Sequence, residues 1–263
     1  MTVTPQEAVT ACARAAEAHA QHAPWRAALQ YTIRSLIDRV AVARHLAPPR
    51  LERPENQIAE QALDALGSLE GWHILDLGDV HQYLLQLTVT HDADGRATVK
   101  KDGLAARGTL GSWYTPPEVA ASMCRLSFGP QLDHLVLDPD PGAALRLLVI
   151  DPACGVGVFL VEAARLIARH LAERVSGVSP APAAHLPYAL PIVIRECIFG
   201  VDIDPVAVDL ARTALWLEVG GREPFDWLDD NIIVGNALDD EMPPGFTARR
   251  GEAPTAAERR RGT

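Results

Sequence analysis

The chain has 263 residues, of which 48% are hydrophobic, and it carries a formal net charge of −10 at pH 7. This composition predicts a folded globular protein and excludes a disordered chain. The acidic balance argues against a stand-alone nucleic-acid-binding domain, because such a domain normally presents a basic patch or stripe.

The placement of cysteine and histidine predicts neither a metal site nor a disulfide framework. The four cysteines lie far apart without a CxxC pair, and none of the nine histidines pairs with Cys or Glu at metal-ligand spacing. Reduced thiols of this kind fit a cytoplasmic location. The chain has no apolar leader and no run of about 18 apolar residues, so we expect neither export nor membrane contact.

Residues 1–110 are predicted to form a mainly helical N-terminal region. Apolar residues recur at helical spacing, and Pro48 and Pro49 end the first run. Three segments have this spacing, residues 5–46, 55–69 and 76–87. The first of them is predicted to contain one or two helices. A turn sequence at 91–96 predicts a short hairpin over residues 85–89 and 97–101, although the alternation of its strands is weak.

From residue 111 the pattern changes to strands alternating with helices, which predicts an α/β domain over residues 111–242 with a parallel sheet. The predicted strands are 145–150, 197–202 and 231–235, and the predicted helices are 116–127, 157–173 and 205–219. The proline-rich residues 176–191 are predicted to form a surface loop. The arginine-rich residues 243–263 are predicted to form a disordered tail.

A glycine turn follows the first of these strands. Gly155 and Gly157 let the backbone turn sharply and approach a ligand closely, but Leu160 stands where a dinucleotide fingerprint has its third glycine. A pyrophosphate ligand is therefore disfavoured. S-adenosylmethionine has no phosphate and needs carboxylates near its ribose and amino-acid end, which Asp151 at the strand tip can help supply. Asp151, Ala153 and the two glycines are the candidate cofactor residues of this turn.

Polar residues also follow the other two strands. Asp202 can accept hydrogen bonds from both ribose hydroxyls, and Ile203 can pack on the adenine face. Asp204 is predicted to cap the following helix, and a strand with a doubly acidic cap is the plainer interpretation of this segment. Asn236, with Ala237 beside it, offers an amide suited to the adenine edge, although such a sequence is more often a simple turn.

A fourth candidate segment precedes the first strand of the sheet. Thr115 and Glu118 are predicted to form a capping box, which explains much of the segment as plain helix initiation. The aromatic ring of Tyr114 and the free N–H groups of the helix start could also receive the methionine carboxylate of the cofactor. Tyr114, Thr115 and Pro116 are therefore candidate cofactor residues.

Taken in order, these motifs resemble those of N6-adenine DNA methyltransferases from restriction-modification and related phage-defence systems. The similar segments are Tyr114–Pro117, Asp151–Leu160, Gly200–Pro205 and Gly235–Asn236, within roughly residues 75–240. The likeness is to large single-chain enzymes, and it implies a partial Rossmann-like, S-adenosylmethionine-dependent fold preceded by a helical region. Val156 departs from the family, which usually has serine there, and we expect weaker cofactor binding from this change.

The catalytic tetrapeptide of that family occurs nowhere in the 263 residues. In the family, an Asn, Asp or Ser followed by Pro-Pro and an aromatic residue holds a flipped-out adenine. Met242–Gly245 is only superficially similar, so we assign no catalytic residue and expect the chain to be inactive alone. DNA would then be contacted only through a downstream region or a partner chain. In this fold the missing fourth strand would lie beside the first strand, so we expect the first strand to form an exposed sheet edge.

The sequence is compatible with three alternatives. A separate polypeptide could complete the chain, which would then act as a non-catalytic subunit. A small-molecule or protein methyltransferase would share the glycine turn and the acid but needs no Tyr-Thr-Pro-Pro segment. A NAD-dependent dehydrogenase fits less well, because its ribose-binding acid would stand about 20 residues after the glycines.

Overall fold

A computed structural model describes residues 5–72, 74–101, 115–239 and 241–250. The chain divides into two compact units, Met1–Tyr114 and Thr115–Thr263. The boundary expected between residues 110 and 111 lies outside the described residues. None of the helices in the described ranges is both long and apolar enough to cross a membrane.

In the part of the chain that the structure describes, the first unit has four helices and a two-stranded antiparallel hairpin. They are α1 (Pro5–Ala20), α2 (Trp25–Ala43), α3 (Gln57–Asp64), α4 (Ile74–Leu84), β1 (Leu87–His91) and β2 (Ala97–Lys101). The predicted hairpin is confirmed despite its weak alternation, with its first strand two residues later than predicted, and contacts with Gln21, directly after α1, and Trp25, the first residue of α2, explain why it forms. The Gln21 side chain pairs with both the N–H and the carbonyl of Ala97, at 3.0 Å each, and the Trp25 indole donates to the Leu87 carbonyl at 3.2 Å.

Among its described residues, the second unit has three parallel strands with helices between them. Its elements are α5 (Pro117–Leu135), β3 (Val149–Asp151), α6 (Val158–Ser176), α7 (Leu186–Cys197), β4 (Ile198–Asp202), α8 (Pro205–Glu218), β5 (Ile232–Val234) and α9 (Pro244–Arg250). The strand order is β3-β4-β5. The central strand β4 is almost wholly buried, which is why its residues form a continuous apolar run. As expected, β3 lies at an edge of the sheet in the described part of the chain.

The proline-rich segment 176–191 was predicted to be a surface loop, and this prediction is wrong for its last part. Helix α7 begins within the segment, at Leu186. Pro187 stands in the first turn of this helix, where a backbone N–H has no helical partner and proline is tolerated. The apolar side chains of Val193 and Ile194 are fully buried and hold the helix on the sheet. Composition alone therefore misjudged this segment.

The expectation of a disordered tail from residue 243 is also wrong for its first part. Residues Pro244–Arg250 form α9, and Pro244 again occupies the first helical position. The buried Phe246 ring meets the Phe199 ring edge-on, with centroids 5.4 Å apart. The Gly245 N–H donates to the Asp230 carbonyl at 2.9 Å. Residues 251–263 lie outside the described residues.

Candidate functional site

The predicted polar residues lie at the carboxyl ends of the three parallel strands. Asp151 is the last residue of β3 and Asp202 the last of β4, while Gly235 and Asn236 follow directly after β5. Because the strands are parallel, these ends share one edge of the sheet. Ligands of open α/β sheets bind in the crevice outside this edge.

The glycine turn between β3 and α6 depends on two left-handed residues. Gly155 has φ 53° and Gly157 has φ 83°, a region that side-chain-bearing residues rarely adopt. A Cβ on Gly157 would lie 3.0 Å from the Cα of Ala211, so this glycine also lets α8 approach the start of α6. A Cβ on Gly155 would meet no atom within 4 Å, so the space beside this turn is open.

Asp202 joins the three strand ends through hydrogen bonds. Its Oδ2 accepts from the Gly155 N–H at 2.8 Å, and its Oδ1 accepts from the Asp204 N–H at 2.9 Å. Its backbone carbonyl accepts from the Gly235 N–H at 2.9 Å. Each carboxylate oxygen has further lone pairs, so Asp202 can hold the glycine turn and still accept from ligand hydroxyls.

Asp151 lies close to Asp202 in this arrangement. Its Oδ1 accepts from the Ala153 N–H at 3.1 Å. Burial raises the pKa of the Asp151 carboxyl and the negative charge of Asp202 raises it further, while the Ala153 hydrogen bond opposes both effects. Within the described residues, no group of three or more His, Cys, Asp and Glu side chains could hold a metal ion.

We expect Asp151→Asn to stabilise the protein near neutral pH. The folded chain keeps the Asp151 proton to a higher pH than the unfolded chain, so ionisation of Asp151 lowers stability as pH rises through its folded-state pKa. Asparagine removes that charge but can still accept from Ala153. Thermal unfolding at about pH 3 and about pH 7 should show a gain in Tm at the higher pH only.

The matched control for this variant is Asp226→Asn, which removes an exposed acid from the turn Phe225–Leu228. We expect the control to change Tm little at either pH. An equal gain at both pH values, or a loss of stability at neutral pH, would contradict a charge conflict at Asp151.

The Asn236 side chain takes part in a local turn. Its Oδ1 accepts from the Leu238 N–H at 3.1 Å, and its Nδ2 donates to Asp239 Oδ2 at 2.7 Å. Ala237 begins the short 3-10 turn Ala237–Asp239 and is half-buried. These contacts fix the amide of Asn236, and adenine recognition by it stays a prediction.

Exposed apolar residues lie beside the strand ends. Ile203, directly after Asp202, is 65% exposed, and Leu238, in the turn after Asn236, is 92% exposed. Exposed apolar side chains next to a polar crevice suit a flat ligand such as a purine. Ile203 was predicted from the sequence but Leu238 was not. The sequence marks Leu238 only by its apolar side chain, two positions after Asn236.

The predicted capping box before α5 does not form. The helix begins at Pro117 with Pro116 at its N-cap, and no side chain caps it. Pro116 has φ −57° and ψ 139°, an extended conformation imposed by the second proline, so Thr115 lies one place too early to be the cap. Thr115 is half-buried and Pro116 exposed, while Tyr114 lies outside the described residues.

A cavity of about 290 Å³ lies between α5, β3 and the start of α6. Its lining includes Asp151 from the predicted site but neither Asp202 nor Asn236, together with Met123, Cys124, Phe128 and Phe159. Burial raises the pKa of the Cys124 thiol to about 11, so this cysteine is a neutral apolar contact at physiological pH. A larger cavity of about 640 Å³ lies in the first unit and contains none of the predicted site residues.

Three parallel strands with a glycine turn and acids at their carboxyl ends define an α/β protein whose candidate site lies at the strand ends. Comparison with protein families agrees with this class. Residues 100–243 match the family described as N-6 DNA Methylase, and the match covers just over half of the chain. The chain therefore belongs to the N6-adenine DNA methyltransferase family. A search of curated proteins gave no match.

Proposed function

We propose that the second unit binds S-adenosylmethionine for methylation of adenine N6 in DNA, as part of a restriction-modification or related defence system. Its three strands would be the first strands of a Rossmann-like methyltransferase sheet. The observation that carries this proposal is the Asp202 carboxylate, which holds the glycine turn through Gly155 at 2.8 Å and lies at the end of the central strand.

The chemistry of the strand ends suits this cofactor. Asp202 would accept from the ribose hydroxyls, and the exposed Ile203 would cover one face of the adenine. Asp151, in a half-buried position beside the open space at Gly155, would face the charged amino-acid end. Thr115 and Pro116 would supply the methionine carboxylate site, and Ala153, Gly157, Asn236 and Ala237 would shape the walls.

When bound, S-adenosylmethionine supplies a methyl group activated by its sulfonium. The residues of this chain would bind and orient it, and no residue needs to act as a nucleophile. The adenine-holding tetrapeptide does not occur in the sequence. We therefore propose that the flipped base is held by groups from a downstream region or from a complementing polypeptide, and that the chain is inactive alone.

The open edge of the sheet favours completion by further polypeptide. Strand β3 pairs only with β4 among the described residues, and a free strand edge is a template for another strand. Nearby on α5, Val119, Met123 and Leu126 are 46%, 48% and 80% exposed. A non-catalytic subunit completed by a second chain is thus the second candidate. A small-molecule or protein methyltransferase would share the turn and the acid, but the family match favours DNA.

Calorimetric titration with S-adenosylmethionine tests the proposal. The folded chain should bind, and Asp202→Ala should weaken binding about a hundredfold, because two hydrogen bonds to a charged acceptor are lost. Asp226→Ala, which removes an exposed acid elsewhere in the unit, is the control and should bind like the wild type.

Three results would each count against a part of the proposal. A folded chain that does not bind S-adenosylmethionine would overturn cofactor binding, and equal binding by Asp202→Ala would remove the role of this carboxylate. Transfer of labelled methyl groups to adenine in DNA by the purified chain would contradict the need for a further catalytic segment.

A further inference from the structure

The larger cavity, of about 640 Å³, is formed by residues of the first unit. Its lining comes from the end of α2, from the chain between α2 and α3, and from the end of α3 with the residues that follow it. Much of the lining is apolar and includes Val42, Pro48, Leu63, Leu66 and Leu69. A largely apolar, concave space of this size with a few polar groups is the usual form of a small-molecule site.

Four of the charged side chains in the lining form ion pairs with one another. Arg39 Nη2 lies 2.6 Å from Asp64 Oδ1, and Arg53 Nη1 lies 2.8 Å from Asp38 Oδ2. Glu60, which is not part of the lining, binds Arg39 Nη1 at 2.7 Å. These charges connect the walls of the cavity and compensate one another, so they leave little net charge to attract a ligand.

His45 and Arg50 also line the cavity, and both residues are exposed. Among the described residues, neither side chain has a hydrogen-bond or ion-pair partner. The Arg50 backbone is held in place, because its N–H donates to Asp38 Oδ1 at 2.9 Å. Asp38 therefore fixes the backbone of Arg50 and leaves its guanidinium available to a ligand.

The backbone is left-handed at both of these residues. In the described part of the chain, His45 with φ 59° and Arg50 with φ 53° are the residues other than glycine that have positive φ. This conformation is unfavourable for a residue with a side chain. At His45 the N–H donates to the Val42 carbonyl at 3.0 Å and the Leu46 N–H to the Ala41 carbonyl at 2.9 Å, a helix ending that usually has glycine in this place. Both positions thus keep a nitrogen-bearing side chain where glycine would be less strained.

We propose that this cavity binds a small organic carboxylate. The carboxylate would lie on the guanidinium of Arg50, whose N–H groups match its two oxygens, and on a ring N–H of His45. The apolar body of the ligand would lie against the leucines of the lining. One guanidinium, with the acid Glu70 also in the lining, suits a single negative charge better than a phosphate dianion. None of these residues belongs to the strand-end site, so this proposal does not depend on the proposed function.

The test compares two probes of nearly equal size, 2-naphthoate and 2-naphthamide, which differ in charge. Calorimetric titration of the full chain should show that the wild type binds 2-naphthoate about tenfold more tightly than 2-naphthamide. Arg50→Gln should bind 2-naphthoate about tenfold more weakly than the wild type and bind 2-naphthamide almost unchanged. Arg222→Gln, which removes an exposed arginine of the second unit, is the matched control and should keep the wild-type preference.

Arg50→Gly separates a ligand-binding role of this residue from a structural one. Glycine adopts positive φ without strain, so this variant should melt at no lower temperature than the wild type. It should nevertheless lose the preference for 2-naphthoate, as Arg50→Gln does. It also serves as the test variant if Arg50→Gln does not fold.

Several outcomes would overturn the proposal. A wild type that binds neither probe, or binds both equally, would show that the cavity is not a carboxylate site. A wild-type preference that persists in the Arg50 variants would show that Arg50 does not hold the carboxylate. Loss of the preference in Arg222→Gln would place the binding outside this cavity.

Discussion

Gly157→Ala should lower the free energy of unfolding by about 2–5 kcal/mol. Two costs combine at this residue. The backbone has φ 83°, where a Cβ is strained, and the new Cβ would lie 3.0 Å from the Cα and 3.1 Å from the Cβ of Ala211. The contact is with the backbone of α8, so no flexible side chain can move aside to relieve it.

Gly177→Ala is the matched control for this prediction, because Gly177 caps the other end of the same helix. Its φ is 71°, but a Cβ there would meet nothing within 4 Å. It should therefore show the cost of the left-handed backbone alone, about 1 kcal/mol. Urea unfolding of both variants separates the cost of the left-handed backbone from the cost of the steric contact. An equal loss of unfolding free energy in the two variants would contradict the close approach of α6 and α8.

Asn231→Ala should lower the free energy of unfolding by about 2–4 kcal/mol, because the buried side-chain amide of Asn231 donates hydrogen bonds to carbonyls at the end of α7. Nδ2 donates to the carbonyls of Ile194, Arg195 and Ile198, at 3.3, 2.9 and 2.9 Å. An amide has only two hydrogens, so at least one of them is shared. Helix α7 thus receives its C-terminal cap from a residue that lies just before β5.

Asn231→Asp tests the direction of these hydrogen bonds at nearly constant volume. A carboxylate cannot donate and would face carbonyl oxygens, so near neutral pH this variant should unfold more easily than Asn231→Ala. Lowering the pH should reduce the difference in unfolding free energy between Asn231→Asp and Asn231→Ala, because a protonated carboxyl can donate one hydrogen bond. Chemical denaturation across a pH series checks this, and wild-type stability of Asn231→Asp at neutral pH would show that the amide is not the cap.

The sequence predicted the strand, turn and helix order of the second unit because local signals carry it. Each strand is an apolar run that ends at an acid or a glycine, and the predicted cap Asp204 accepts from the Val206 N–H at 3.0 Å. The two glycines of the turn were predicted from the same local pattern and have the left-handed backbone that such a turn requires. These features depend on residues within a few positions of one another.

The features that sequence analysis missed depend on distant contacts. Helix α9 is held by Phe246 against Phe199, and Arg249 forms an ion pair with Glu196 at 2.7 Å. The failed capping box has a different cause, since two consecutive prolines moved the helix start by one residue.

The Gly155–Asp202 hydrogen bond has a consequence for the thermodynamics of any ligand that binds at the strand ends. Because the glycine turn is already held in place at 2.8 Å from the acid, the crevice is preorganised, and ligand binding need not order this loop. The entropy of fixing the loop is lost during folding instead. Such a ligand would meet a rigid acceptor, so its association would be limited by encounter and orientation instead of by closure of the turn.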